Sequence, residues 1–261
     1  MSFLSLTDCN LYYEIHGTGP ALLFAHGLGG NQLSWWQQIA YFRDRYTCIV
    51  FAHRGFAPSH ETPHSAGPLA FVNDLAALIA QLGLKDVRLV AQSMGGWTCL
   101  GYALREPTMV KALVMCATTG SLTHPDIDAA FLAARHSNAE ADLFARGVHP
   151  AAGARMAAEQ PALHLLYQQI DALSFTLDKQ AMRAQLVAMR TTPATALAKL
   201  TMPILCITGE EDSVIPSAAV ATLASLAPNA TLVRVPQAGH SVYFERAHHF
   251  NQVLDDFLQT T

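Results

Sequence analysis

The feature that most limits how this chain can fold is an alternation between short runs that are apolar almost throughout and longer segments with apolar residues at helical spacing. Residues 11–15, 21–25, 47–51, 87–91 and 110–116 are rich in Val, Ile, Leu and Phe. A strand without a polar face is buried on both faces, which is the condition of a parallel sheet covered by helices above and below. Between two of the runs, Phe71, Leu75, Leu78, Ile79 and Leu82 share one helical face, and Gly83 offers a stop. A second helix is predicted over residues 94–104, ended by Glu106-Pro107.

From residue 121 to residue 199 the alternation is lost. Strand signals disappear, Ala, Met, Gln and Leu recur at helix-like intervals, and Pro125, Pro150, Pro161 and Pro193 divide the segment into several short helices. Strands are expected again at 203–208 and 231–235, with helices near 217–226 and 248–258. The predicted architecture is therefore α/β: a mostly parallel, twisted sheet with helices on both faces, formed by residues 1–120 and 200–261. The all-helical segment 121–199 is expected to be a cap over the carboxyl edge of the sheet, where open sheets of this kind bind ligands.

Composition narrows the function classes. Of 261 residues, 51% are hydrophobic and 14% charged, enough apolar material for a large core. The net charge of −4 is spread without an acidic or basic block, so nothing predicts a nucleic-acid or membrane partner. Five scattered cysteines, Cys9, Cys48, Cys99, Cys116 and Cys206, form no CxxC pair and are expected to be reduced and buried. The histidines show no metal-ligand spacing, and neither a metal nor an organic cofactor is expected. The first residues lack a signal-peptide pattern, and no apolar run approaches the roughly 20 residues needed to cross a bilayer. A cytoplasmic protein is the expectation.

The chemistry centres on Leu89-Val90-Ala91-Gln92-Ser93-Met94-Gly95-Gly96, a strand that ends at a serine and opens at once into a helix. This is one methyl group away from the G-x-S-x-G elbow, in which a tight strand-to-helix turn lifts the serine side chain clear of the backbone. Residues two before and two after the serine must be small; Gly95 meets that requirement and Ala91 replaces the other glycine. A serine hydroxyl needs a base to become a nucleophile near neutral pH. Downstream, a strand leads into Gly209-Glu-Glu-Asp212-Ser-Val-Ile-Pro216, and another leads into Gly239-His240. Loops after parallel strands gather at one edge, so these residues can converge.

The whole chain resembles the α/β-hydrolase superfamily, in particular its small capped members: enol-lactone hydrolases, carboxylesterases and the C–C hydrolases of ring-cleavage products. Five stretches carry the resemblance in order: His26-Gly27-Leu28-Gly29-Gly30, Arg54-Gly55, Ser93 in its elbow, Gly209 to Pro216, and Gly239-His240. It implies Ser93 as nucleophile, His240 as base, Asp212 as orienting acid, and the backbone N–H groups of Leu28 and Met94 as an oxyanion hole. Where the family has Asp-x-Arg-Gly-x-Gly-x-Ser, this chain has Ala52-His53-Arg54-Gly55-Phe56-Ala57-Pro58-Ser59. The aspartate and second glycine are missing, and a local structural change is expected there.

The activity implied is hydrolysis of a small ester or lactone through an acyl-enzyme on Ser93, without cofactor. C–C bond hydrolysis, and a ligand receptor that keeps the three residues, fit the same pattern. Trp36, Trp97, Phe131, Met156, Met182 and Met189 are candidates to line a pocket for an apolar or aromatic small molecule, although apolar residues at such spacing equally read as core.

Overall fold

The apolar runs assemble into one large sheet in the computed structural model, which describes residues 2–135 and 139–261. In chain order the strands are β1 (Ser2–Ser5), β2 (Cys9–His16), β3 (Ala21–Ala25), β4 (Thr47–Phe51), β5 (His60–Glu61), β6 (Val87–Gln92), β7 (Val110–Cys116), β8 (Leu122–Thr123), β9 (Thr192–Pro193), β10 (Ile204–Gly209) and β11 (Ala230–Val235). The main sheet runs β1-β2-β4-β3-β6-β7-β10-β11, with β5 paired to β2. From β4 to β11 every pairing is parallel, whereas β1, β2 and β5 form an antiparallel edge.

The helices are α1 (Trp36–Phe42), α2 (Phe71–Gln81), α3 (Gly95–Arg105), α4 (Pro125–Arg135), α5 (Ala139–Ala145), α6 (Gly153–Glu159), α7 (Pro161–Ala172), α8 (Lys179–Ala188), α9 (Ser217–Leu226), α10 (Val242–Glu245) and α11 (Ala247–Leu258). Side-chain alternation along the strands divides the interior in two. Leu23, Ile49, Leu89, Leu113 and Cys206 face the layer that holds Leu75 and Leu78 of α2, Cys99 and Ala103 of α3, and Val220 and Leu223 of α9. Leu22, Phe24, Val50, Val90 and Ile207 face the opposite layer, with Phe42 of α1 and Phe250, Leu254 and Leu258 of α11. Burying a side chain of this size contributes about 1.5–3 kcal/mol each, which makes the two-sided sheet the main store of stability. All five cysteines are buried and unpaired.

The strand order reverses where it matters. β3 lies between β4 and β6, so the chain leaves β3 toward one side, returns by α2 and continues on the other. Ala25 pairs with Ala91, which sets the residues after β3 directly beside those after β6. The acid and base loops follow β10 and β11, also adjacent.

Segment 121–199 differs from a purely helical reading in one respect: β8 and β9 pair in parallel near its two ends, through backbone too short to leave a periodic signal. Its prolines do mark helix starts, with Pro125 opening α4 and Pro161 opening α7. Helix α4 packs on α9 at the flank of the sheet. The stretch from α6 to α8 instead touches loops at the carboxyl edge. Arg155 Nη2 reaches Glu211 at 2.6 Å, Gln160 Nε2 donates to the Glu245 carbonyl at 3.0 Å, and the Ala57 N–H donates to Ser174 Oγ at 3.1 Å.

Where the Asp-x-Arg-Gly pattern is altered, the arginine turns inward. Arg54 Nε and Nη2 hold Asp74 of α2 at 2.7 Å each, while Nη1 donates to Asp8 at 2.8 Å and to Ser65 Oγ at 2.7 Å. Both Arg54 and Asp74 are buried. The loop thus buttresses the antiparallel edge. Among the described residues no helix is long and apolar enough to cross a membrane.

Candidate active site

Ser93 sits at the end of β6 with φ +49°, in the left-handed region that a residue with a side chain adopts only under constraint. The constraint is visible on both sides. Ser93 N donates to the Cys116 carbonyl at 3.0 Å, the last rung on the β7 side, and Gly96 N donates to the Ser93 carbonyl at 2.9 Å as α3 begins. A Cβ at Gly95 would overlap the Ala25 carbonyl oxygen, and one at Gly96 would overlap Thr118 Oγ1. Ala91, fully buried, shows that the site two before the serine admits a methyl group.

His240 Nδ1 lies 2.9 Å from Asp212 Oδ2, and both side chains are buried. A carboxylate only accepts, so Nδ1 is the donor, and in the neutral ring Nε2 is left as the acceptor. The other carboxylate oxygen of Asp212 accepts from the backbone N–H groups of Val214 at 2.8 Å and Ile215 at 2.9 Å, which fixes its plane. The two loops are tied together by Glu211 N donating to the Ala238 carbonyl at 2.8 Å. Sequence reading missed two further supports. Gln92 Nε2 donates to the His240 carbonyl at 3.3 Å, and Gly239 N donates to Glu245 Oε1 at 2.7 Å. Burial pushes the Glu245 carboxyl up to about 8, opposed by the Gly239 hydrogen bond, and its Oε2 is buried without a partner among the described residues. A carboxyl in a short helix beside a histidine loop has no sequence signature that marks its pKa as raised.

Among the described residues no hydrogen bond joins Ser93 Oγ to the His240 ring in this conformation. Such contacts often close only around substrate, and Ser93 is partly exposed. The N–H groups of Leu28 and Met94 make no hydrogen bond within the protein among the described residues. Backbone donors are rarely left so. Gly27, between them and the sheet, has no room for a side chain: a Cβ there would overlap Gln92 Oε1 and lie 3.0 Å from Ser93 Cβ.

His26 is fully buried. Its Nε2 accepts from the His53 N–H at 2.9 Å and its Nδ1 lies 2.8 Å from the Gly27 carbonyl, which identifies Nδ1 as the protonated nitrogen. Burial lowers its pKa to about 4, so it acts as a neutral brace.

Of the six residues considered for a pocket, Met182 and Trp97 pack with Met94 and Leu28 next to the serine. The Trp97 indole also donates to the Leu186 carbonyl at 3.0 Å, latching α8 to the helix that follows the elbow. Met189 caps the end of α8. The other three lie elsewhere. Trp36 is 46% exposed at the start of α1, and Met156 is sealed in the second core layer. Phe131 packs on the first core layer under the Arg190 guanidinium, because α4 lies on α9. Phe56, Leu177 and Leu186, which join the cluster at the serine, were missed. A cleft of about 300 Å3 is lined by Arg155, Ser213, Gly239 and Glu245, two of them chain neighbours of the acid and base, and Ser93 does not line it. No group of three or more His, Cys, Asp or Glu side chains among the described residues is placed to hold a metal ion.

Residues 20–247 match the family model described as alpha/beta hydrolase fold. The chain is 29% identical over 263 residues to BpoC of Mycobacterium tuberculosis, which carries a non-heme bromoperoxidase name, with 95% of this chain and 97% of the relative covered. Its fold is shared with a thermophilic esterase from Thermogutta terrifontis, at a TM-score of 0.79, 23% identity and coverage of 100% of this chain and 99% of the other. The enol-lactonase from Burkholderia xenovorans LB400 has the same TM-score at 21% identity, with 99% and 100% covered.

Proposed function

The chain belongs to the α/β-hydrolase fold family, and on that premise we propose that it is a serine hydrolase that cleaves a small carboxylic ester or lactone through an acyl-enzyme on Ser93. The observation that carries this reading is the buried His240–Asp212 pair at 2.9 Å, reached by the loops of two adjacent strands, with Ser93 raised on a strained turn at the same sheet edge. The fold shared with an esterase and an enol-lactonase supports the substrate class.

In the reaction, Ser93 Oγ bonds to the substrate carbonyl carbon while His240 Nε2 takes the hydroxyl proton. The carbonyl oxygen becomes an oxyanion in front of the Leu28 and Met94 N–H groups; in well-studied hydrolases one such donor is worth about 2.7–4 kcal/mol of barrier. The carbon–oxygen bond to the alcohol then breaks, and His240 gives that oxygen its proton. Water, deprotonated by the same histidine, attacks the acyl-enzyme and releases the acid. Asp212 holds the ring and faces the positive charge that appears each time His240 takes up a proton.

A fluorophosphonate probe followed by peptide mapping tests the nucleophile before any natural substrate is known, with label expected on Ser93. Hydrolysis of p-nitrophenyl acetate or butyrate should accompany it. Undiminished turnover by a folded Ser93→Ala protein removes the proposal.

A further inference from the structure

Two chemically different walls meet at the oxyanion loop. Leu28 packs on the apolar side, with Met94, Trp97, Leu177, Met182 and Leu186. The next residue, Gly29, lies under three polar side chains carried by α7 and the loop before α6. A Cβ built on Gly29 would stand 3.0 Å from Tyr167 Oη, 3.2 Å from Asp171 Oδ1 and 3.4 Å from His149 Cε1.

This second wall is built and held. Tyr167 is 2% exposed, and its ring is set edge-on against Phe244 at 5.1 Å and His149 at 5.0 Å, so packing decides where its hydroxyl points. Asp171 is gripped by Lys179, whose Nζ lies 2.6 Å from both Oδ1 and the main-chain carbonyl, and His149 Nε2 approaches the same Oδ1 at 3.7 Å. Burial opposes the charge on Asp171, but His149 and Lys179 outweigh it and hold the carboxyl below its ordinary pKa. Beside the Tyr167 hydroxyl, close enough to interact with it, lies the fully buried hydroxyl of Ser241, the residue after the base.

His240 has to hand its proton to the departing oxygen, so the alcohol half of the substrate occupies the side next to His240 and Ser241. The apolar cluster of Met94 and Trp97 is left for the acyl half. We propose that Tyr167 and Asp171 form a specificity subsite for the alcohol portion, so that the enzyme selects esters of an apolar acid with a small neutral alcohol bearing a hydroxyl or amide group. A phenolic O–H donates and a carboxylate accepts, and a hydroxyl or an amide answers both. Lys179 offsets the charge of Asp171, which suits a neutral group. A plain alkyl alcohol offers no polar group to either side chain and forgoes the hydrogen bonds that a hydroxyl or amide can make there.

The inference rests on the serine-hydrolase reading above, and the test separates the two. Glycerol 1-butyrate and propyl butyrate share one acyl-enzyme, so the ratio of their kcat/KM values reports on the alcohol half alone. The wild-type ratio is expected to favour the glycerol ester about tenfold. Tyr167→Phe and Asp171→Asn should each shrink it about fivefold, the scale of one hydrogen bond. A wild-type ratio near one, or variants that slow both esters by the same factor, overturns the subsite. Turnover of both esters that persists in Ser93→Ala overturns instead the reading beneath it.

Discussion

Gln92 Nε2 donates to the main-chain carbonyl of His240 at 3.3 Å, so the residue before the nucleophile braces the loop of the base across 148 positions of sequence. Gln92 is 1% exposed, and its Oε1 fills the space that Gly27 leaves open. Gln92→Ala should lower kcat up to about tenfold, the range of one neutral hydrogen bond, while Ser93 still labels with fluorophosphonate. An unchanged kcat would show that the loop needs no such brace.

Asp212 accepts from three donors, and two of them are backbone N–H groups that an asparagine oxygen can keep. Asp212→Asn should therefore stay folded but present the wrong partner to His240 Nδ1. A fall in kcat of about 10³–10⁴-fold is expected, with a melting temperature near that of the wild type. Steady-state kinetics with p-nitrophenyl butyrate, beside a thermal melt, separate the two effects.

Gly95 and Ala91 flank the nucleophile symmetrically in sequence but not in space. Gly95→Ala would drive its methyl into the Ala25 carbonyl and should leave little folded, active protein. Ala91→Gly removes a buried strand methyl, at a cost of roughly 1 kcal/mol, and should retain activity. Soluble yield and esterase rate for the pair decide the point.

The buried Glu245 gives stability a pH dependence. Its carboxyl is raised from 4.5 to about 8 in the folded protein, so the folded state holds the proton more tightly than the unfolded chain. Stability from this group is fully present below pH 4.5 and is lost as pH rises toward 8. Glu245→Gln can keep the Gly239 contact and has no proton to lose. The wild-type minus variant difference in melting temperature should become more negative between pH 5 and pH 8; a difference that stays flat contradicts the assignment.

Arg54 and Asp74 form a buried pair, each side chain 3% exposed. Asp74→Ala strands a guanidinium that Asp8 and Ser65 only partly satisfy, and should cost about 3–5 kcal/mol in urea denaturation. A cost under about 1 kcal/mol would mean that Arg54 escapes to solvent.

What the sequence determined by itself was set by local rules. Apolar runs such as 21–25 and 87–91 call for helices on both faces, and small residues on either side of Ser93 mark an elbow after β6. Ser93, Asp212 and His240 each follow a strand, so the sequence allowed them to meet at one edge, and the choice of Asp212 over Glu210 and Glu211 came from the resemblance to α/β-hydrolases. Tertiary structure alone decided the rest. β1, β5, β8 and β9 exist only through their partners, being too short to show a period of their own. Phe131 and Met182 look alike in sequence, yet only Met182 packs by Ser93, because α4 rests on α9 while α8 is latched to Trp97. The raised pKa of Glu245 and the polar cover over Gly29 belong to the same class. Each arises from desolvation and contact between residues far apart in the chain, and neither leaves a mark in the spacing of residue types.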